Sequence, residues 1–284
     1  MEATGFEGSR SEFFEYVRTD SQFYYSDKEE LMQGFRDILK VMDTKLPDLF
    51  GILPEAPYEL KEMEAYRAAS APQAYYYSAP EDRSRPGYFY VNTYNLPSRP
   101  KYTMTALALH EAVPGHHLQI TIAQELEGLP WFRENLPSTA YVEGWGLYAE
   151  YLGYESDMYK DVYQRFGALT FEIWRACRLV VDVGLHHKKW TREQAVLFML
   201  ENTPNSEFDI RSEVDRYIVW PGQALAYKIG ELKIKELRKT AEIQLGTNFK
   251  IREFHDKVLE NGPVPLELLE QNILTWIQSK QEAT

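Results

Sequence analysis

Three of the six histidines in this 284-residue chain fall within eight residues, in the run Leu109-His110-Glu111-Ala112-Val113-Pro114-Gly115-His116-His117-Leu118-Gln119. Histidine is the commonest zinc ligand, and a His-Glu pair followed by another His one or two turns later puts metal ligand and general base on adjacent helix faces. The chemistry indicated is zinc-dependent hydrolysis, with His110 as a ligand and Glu111 as the base. In the ordinary zincin helix the second ligand lies four residues after the first, about 40° around and about 6 Å along the axis. Here that position is Pro114. On an unbroken helix His117 lies about 20° from His110 but about 10.5 Å along, and His116 points about 120° away. Pro114 removes a backbone donor and clashes with the preceding turn, and Gly115 accepts unusual dihedrals, so a kink or bulge is predicted. A two-residue bulge would give the second-ligand place to His116, which is preferred; regular helical spacing would give it to His117.

A third ligand is expected from a neighbouring helix. Tyr141-Val-Glu143-Gly-Trp-Gly-Leu-Tyr-Ala-Glu150 is aromatic and weakly charged, a setting in which a carboxylate needs a reason. Glu143 follows His116 by a distance that suits a helix, a short connection and an antiparallel return. Glu150 lies two turns further on much the same face, as a supporting group or a reserve ligand. Arg175, Arg178, Asp182 and His186 recur at three and four on one helical stripe, and either orient the ligands or form a buried ion-pair network. His187 and His255 carry no such signal.

The elements that must hold these residues read as mainly α, because apolar residues recur mostly at three and four. Helices are predicted at about 103–126, 138–153, 157–188, 191–202, 211–218, 221–241, 249–260 and 265–280. An amphipathic helix near the start carries Phe13, Phe14, Tyr16 and Val17. Capping boxes are predicted at Ser26–Glu29, opening a helix with Leu31, Met32, Phe35, Ile38, Leu39 and Met42, and at Thr191–Gln194. Residues 73–94 are the exception: QAYYYSA and GYFYVNTYN flank a turn-like segment and read as a hairpin or two edge strands. No repeat or long linker divides the chain, so one catalytic-type domain over 1–284 is expected.

Composition bounds the partners. With 31 Lys+Arg against 43 Asp+Glu the formal charge is −12, and no basic run occurs, so nucleic acid is excluded as a natural partner. The single cysteine, Cys177, can form no internal disulfide and no thiolate zinc site. The aromatic content, 20 Tyr, 14 Phe and 6 Trp, suits a deep cleft as well as a core. The first residues lack a signal peptide's basic start and apolar core, and no apolar run approaches the roughly 18 residues of a membrane span. A cytoplasmic, non-membrane location is therefore expected for the chain as given, while an export signal on a longer parent is compatible.

Three stretches carry a resemblance: His110-Glu111-x-x-Pro-Gly-His-His-Leu-Gln, Glu143-Gly-Trp-x-Leu-Tyr-Ala-Glu, and Arg216-Tyr-Ile-x-Trp-Pro-Gly-Gln-Ala-Leu-Ala-Tyr-Lys-Ile-Gly230. Together they resemble the bacterial family of domain of unknown function 885 over most of the chain. More distantly the plan is similar to the helical zinc peptidases around carboxypeptidase Taq, thimet oligopeptidase and angiotensin-converting enzyme. The resemblance implies a zincin-like catalytic half, the C-terminal half of a longer family architecture, with Zn2+ on His110, His116 or His117, and Glu143, and Glu111 activating water. It further implies a tyrosine donor to the oxyanion, Tyr227 first and Tyr217 second, from the segment that begins at Arg216, itself a candidate for substrate binding. The similar peptidases pair extended substrate with an edge strand before the metal helix, which here would be Gly87–Asn95, with Asn92 and Asn95 reading substrate backbone. The implied activity is peptide-bond hydrolysis. Two alternatives accompany it: a zinc-binding but inactive half that needs a separate N-terminal partner chain or a homo-oligomer, and a hydrolase of non-peptide amides.

Overall fold

A computed structural model describes residues 2–282, and among them helices predominate over three short strands. The major helices are α1 (Arg10–Thr19), α2 (Lys28–Asp43), α3 (Met104–Glu111), α4 (His116–Gln124), α5 (Thr139–Glu155), α6 (Val162–His186), α7 (Arg192–Asn202), α8 (Glu207–Val219), α9 (Gln223–Leu245), α10 (Ile251–Leu259) and α11 (Leu266–Glu282). The strands are β1 (Tyr58–Glu62), β2 (Ala74–Tyr77) and β3 (Gly87–Val91).

Most of these follow from local chemistry. The capping box at Thr191 forms as predicted, with the Thr191 hydroxyl accepting from Gln194 N and the Gln194 side chain answering the Thr191 N–H. The start of α2 is one residue later than predicted: Asp27, not Ser26, caps it, its carboxylate accepting from the N–H groups of Glu29 and Glu30. A charged acceptor one residue along satisfies two orphan donors where the Ser26 hydroxyl would satisfy one. Asp161 likewise caps α6, which is why that helix opens at 162 and not at 157. Ser206 opens α8 four residues before the predicted 211. The predicted amphipathic helix near the start is α1, which buries Phe13 and Val17 against Phe23, Tyr102 and the side of Phe166.

The hairpin at 73–94 is present, β2 pairing antiparallel with β3 from Ala74↔Val91 to Tyr77↔Tyr88. The sequence reading lacked β1, which pairs parallel with β3 from Tyr58↔Gly87 to Glu62↔Val91. Tyr-Glu-Leu-Lys-Glu has three charged residues of five and no β-branched residue, and finds its partner 29 residues away, so no local signal marks it. The sheet order is β1-β3-β2. This overturns the expectation for Gly87–Asn95, because β3 is the central strand and its backbone groups are engaged on both sides. The free edges belong to β1 and β2, and it is β2 that borders the cleft.

The core is organised around the crossing of α5 and α9. Tyr141, Trp145, Tyr148 and Leu152 of α5 and Ala224, Ile234, Leu237 and Ala241 of α9 are buried in one cluster. The crossing is made close by two glycines: a Cβ on Gly144 would strike the Gly230 backbone, and a Cβ on Gly230 would strike the Ala140 carbonyl. Among the described residues no helix is long and apolar enough to cross a membrane.

This contact yields a stability test. Gly230→Ala gains about 1 kcal/mol in helix propensity, but its methyl meets a backbone carbonyl that no rotamer can move aside, and overpacking of this kind costs about 1–3 kcal/mol or more. Net destabilisation is expected, read as a lower urea midpoint at unchanged slope. An unchanged or raised midpoint would show that the helices separate freely here.

Candidate metal centre

The segment predicted as one helix over 103–126 is broken where Pro114 and Gly115 stand. The preceding helix, α3, is buried along its whole length, with His110 and Glu111 at its end. The chain then leaves helical geometry at Ala112 (φ −100°, ψ −103°) and Gly115 (φ −79°, ψ −127°) and resumes as α4 at His116. The His117 N–H donates to Ala112 O at 3.1 Å across the break. A Cβ at Gly115 would collide with the His110 carbonyl, so the bulge needs glycine there. The Pro114 carbonyl, orphaned by the break, accepts from the buried Trp145 indole at 2.8 Å.

The bulge decides between the two histidines. His116 swings to His110, ring centroids 4.7 Å apart at 87°. His117, which an unbroken helix would have returned to the site, points the other way. Its Nδ1 hydrogen-bonds with the Tyr76 hydroxyl at 3.0 Å and its ring packs on Tyr58. Burial holds its pKa down to about 4, so it is a neutral packing residue.

Helix α5 supplies the rest through the spacing i, i+3, i+7. Glu143 Oε2 lies 3.7 Å from His110 Nε2 and 3.4 Å from His116 Nε2. Glu150 Oε1 bonds His110 Nδ1 at 2.8 Å and is itself met by Arg175 Nη2 at 3.2 Å. Between them is Gly146, where a Cβ would sit 2.7–2.8 Å from the imidazole. The His110 ring thus has a carboxylate at each nitrogen and only glycine beneath it. The Glu150 contact leaves Nε2 as the outward-facing donor atom, the arrangement that orients metal-binding histidines.

Among the described residues His110, His116 and Glu143 form the one group suited to a metal ion, their donor atoms all within 4.8 Å of one another. Separations of 3.4 and 3.7 Å are long for hydrogen bonds. They are close to the edge of a tetrahedron with bonds of about 2.1 Å, which is about 3.4 Å. Glu143 Oε2 is buried without a hydrogen-bond partner, an orphan that a cation would satisfy. Burial opposes the charge on His110, yet the adjacent Glu143 and Glu150 carboxylates raise its pKa to about 9. Burial also opposes charge on Glu143, but the two histidines hold its pKa well below the usual carboxylate range. The trio therefore fits a divalent cation in size, donor type and charge.

Glu111 is not in the trio. Its Oε2 accepts from the Tyr76 N–H of β2 at 2.8 Å, and burial pushes its pKa up against the pull of His110 and His116. Both Glu111 and the trio line a cleft of about 300 Å³, floored on one side by Ala71–Tyr76. Tyr227 stands against His110 at 6.1 Å between centroids, and its hydroxyl accepts from Gln223 Nε2 at 3.1 Å. Gln223 Nε2 also donates to Glu143 Oε1 at 3.1 Å. Sequence reasoning did not assign Gln223 a role; the signal was Gly222, whose φ of +82° and whose N–H to Asp182 Oδ2 set the start of α9.

Other expectations are corrected. Tyr217 is fully buried away from the cleft, its hydroxyl accepting from Trp174 Nε1 and Arg178 Nε. Asn92 is fully buried, its side chain donating to the carbonyls of Ala68, Ala71 and Pro72, and so cannot read substrate. Asn95 is an exposed loop residue at φ +55°, outside the cleft. Both failed because a polar side chain beside a strand serves turn geometry as readily as recognition. Arg216 does line the cleft. Of the α6 stripe, Arg175 and Arg178 face the cleft, Asp182 anchors the Gly222 turn, and His186 caps α8 through Tyr217 O at 2.9 Å. His255 is fully buried between Tyr148 and Leu49 O, with a pKa depressed to about 3 chiefly by burial.

Residues 1–273 match the family described as bacterial protein of unknown function (DUF885). No curated protein shows a significant match. Among solved structures, a "putative lipoprotein" from Colwellia psychrerythraea superposes with a TM-score of 0.95 at 40% identity, over 98% of this chain and 49% of that one. A second, a "putative lipoprotein of unknown function" from Shewanella oneidensis, gives 0.77 at 20% identity, over 93% of this chain and 48% of that one, and shares the fold. The chain spans about half the length of these two proteins.

The histidine geometry is checked by zinc affinity. His116→Ala is expected to weaken binding by several kcal/mol through loss of a donor, and His117→Ala by less than about tenfold, since its ring faces Tyr58 and Tyr76. A larger loss for His117→Ala would overturn the assignment.

Proposed function

The chain belongs to the DUF885 family, and from that premise we propose that it is the catalytic half of a zinc-dependent peptidase. The observation that carries this reading is the convergence of His110, His116 and Glu143 beside a separate, buried Glu111 in one cleft. A zinc ion on the trio would supply a Lewis acid and a bound water of pKa about 7.

The residues of the chain then have distinct parts. Glu111 is held by the Tyr76 N–H, and burial raises its pKa and so makes its carboxylate a stronger base, suited to take a proton from water and return it to a leaving amine. The Tyr227 hydroxyl accepts from Gln223, which leaves its own proton free to donate to a developing oxyanion. At the cleft wall, β2 has the register that leaves the backbone groups of Ala74 and Tyr76 directed away from β3. An extended peptide could pair with that edge, apart from the Tyr76 N–H already given to Glu111.

Peptide is favoured over a small amide because an open strand edge beside the donors recognises backbone. The two solved relatives are described as lipoproteins and are twice as long, so the proposal includes a site of action outside the cytoplasm and an opposite cleft wall from a further segment or partner chain.

The test separates base from ligand. Glu111→Gln is expected to keep one zinc per chain by metal analysis while lowering cleavage of a mixed-peptide pool by about two to four orders of magnitude. Loss of zinc in this variant, or cleavage at the parent rate, would remove Glu111 from the role.

A further inference from the structure

The α6 and α8 side of the cleft carries three arginines, Arg175, Arg178 and Arg216. Arg178 on α6 is 3% exposed, and its Nε and Nη2 are engaged by the Tyr217 hydroxyl and by Glu213 Oε2 at 2.8 and 2.9 Å. Its Nη1 is buried with no partner. The Nη2 of Arg216, on α8, reaches the same Glu213 oxygen at 3.0 Å, and Arg216 Nε is also a buried orphan. One carboxylate therefore serves two guanidiniums.

Nearby charges do not make up the difference. Arg175 is matched by Glu150 and Arg99 by Asp209. The Arg178, Arg216 and Glu213 group is left with one positive charge in excess, and two of its donors have nothing to bond. An unmatched buried guanidinium is costly, and unsatisfied buried donors call for a ligand. The guanidinium presents N–H groups in a planar fork that matches a carboxylate.

We infer that Arg178 and Arg216 form a receptor for a carboxylate of the bound substrate. The Arg178 guanidinium carbon is 4.5 Å from the Tyr227 ring centroid, and that ring is 6.1 Å from the His110 ring, so the receptor lies no more than about 11 Å from the metal trio. At about 3.3–3.6 Å per extended residue, that is one to three residues from a bond positioned at the trio. The carboxylate is either a peptide's C-terminal group, which makes the cleft that of an enzyme trimming short pieces from C-termini, or an Asp or Glu side chain near the scissile bond. The ligand's class rests on the peptidase reading, whereas the test reads binding and needs no turnover.

Three randomised pentapeptide libraries serve as probes: the free acid, the C-terminal amide, and an amide with glutamate fixed at the last position. Each is equilibrated with the zinc-supplied Glu111→Gln chain, and the retained peptide is quantified by mass spectrometry. Retention of the free acid is expected to exceed that of the plain amide by about 10- to 100-fold. If the glutamate library matches the acid, side-chain carboxylates are accepted; if it matches the plain amide, the α-carboxylate is the ligand. Arg216→Gln, at a part-exposed position that spares the fold, is expected to lower the acid-to-amide ratio at least fivefold. Arg178→Gln should bring the ratio near one, with Arg178→Lys restoring part of it. Equal retention of all three libraries, retention of none, or a ratio indifferent to Arg216→Gln overturns the inference. With the zinc-supplied parent chain assayed for cleavage of the same libraries, arginine-dependent retention by the variant without any cleavage by the parent sinks the peptidase reading alone, and equal cleavage of acid and amide libraries by the parent sinks the receptor alone.

Discussion

Everything at this site depends on one imidazole held between two carboxylates. His110 is buried, with Glu150 on Nδ1 and Glu143 beside Nε2, both from α5. Ionisable groups are buried at a cost of several kcal/mol each unless their partners are in place. That cost makes the neighbouring architecture rigid in its demands. Gly146 must lack a side chain for the ring to lie on the helix, and Trp145 must reach the carbonyl freed by the bulge. The Gly144 and Gly230 crossing brings α9 close enough for Gln223 to touch Glu143 and for Tyr227 to face His110. Loosening any one of these leaves a buried polar or charged group without its counterpart.

The cleft built on this ladder is electrically divided. Glu111 and Glu143 stand on the α3 to α5 side, and Arg175, Arg178 and Arg216 on the α6 and α8 side. On the proposed reading, such a division would orient a polar chain as well as bind it, since a cation-assisted centre and an anion receptor at fixed separation would admit one direction of approach. β2 is continuous with both: its Tyr76 N–H fixes Glu111, and its preceding residues floor the cleft toward Arg216. The three-stranded sheet, which packs Phe89 and Val91 into the core, therefore also bears directly on the chemistry proposed for this protein.

Much of the fold was legible in the sequence because it is written locally. Helical periodicity, the Thr191 box and the aromatic run of the hairpin each state their structure within a few residues, and the ligand candidates His110, His116 or alternatively His117, and Glu143 were named by type and spacing. What escaped was set by competition or distance. Asp27 displaced Ser26 as a cap, and β1 had no signal apart from its partner strand. Asn92 and Asn95 looked like readers of substrate but are absorbed by turns. Tyr217 looked like a donor to substrate, whereas its hydroxyl holds Arg178 in place.

The sequence by itself determined that this is a mainly helical chain of the DUF885 family with a histidine and carboxylate cluster on adjoining helices, because residue type, period and motif are properties of the chain. Only the tertiary structure decided which histidine joins that cluster, since a Pro-Gly break permits a kink but its direction is set by what packs on it, here Trp145 and the α5 face. It also decided that β3 is central and that β1 and β2 are the edges, because strand order depends on a pairing 29 residues distant. And it alone put Arg178 and Arg216 on one glutamate in the cleft that His110 lines, a charge imbalance that appears only when α6 and α8 meet.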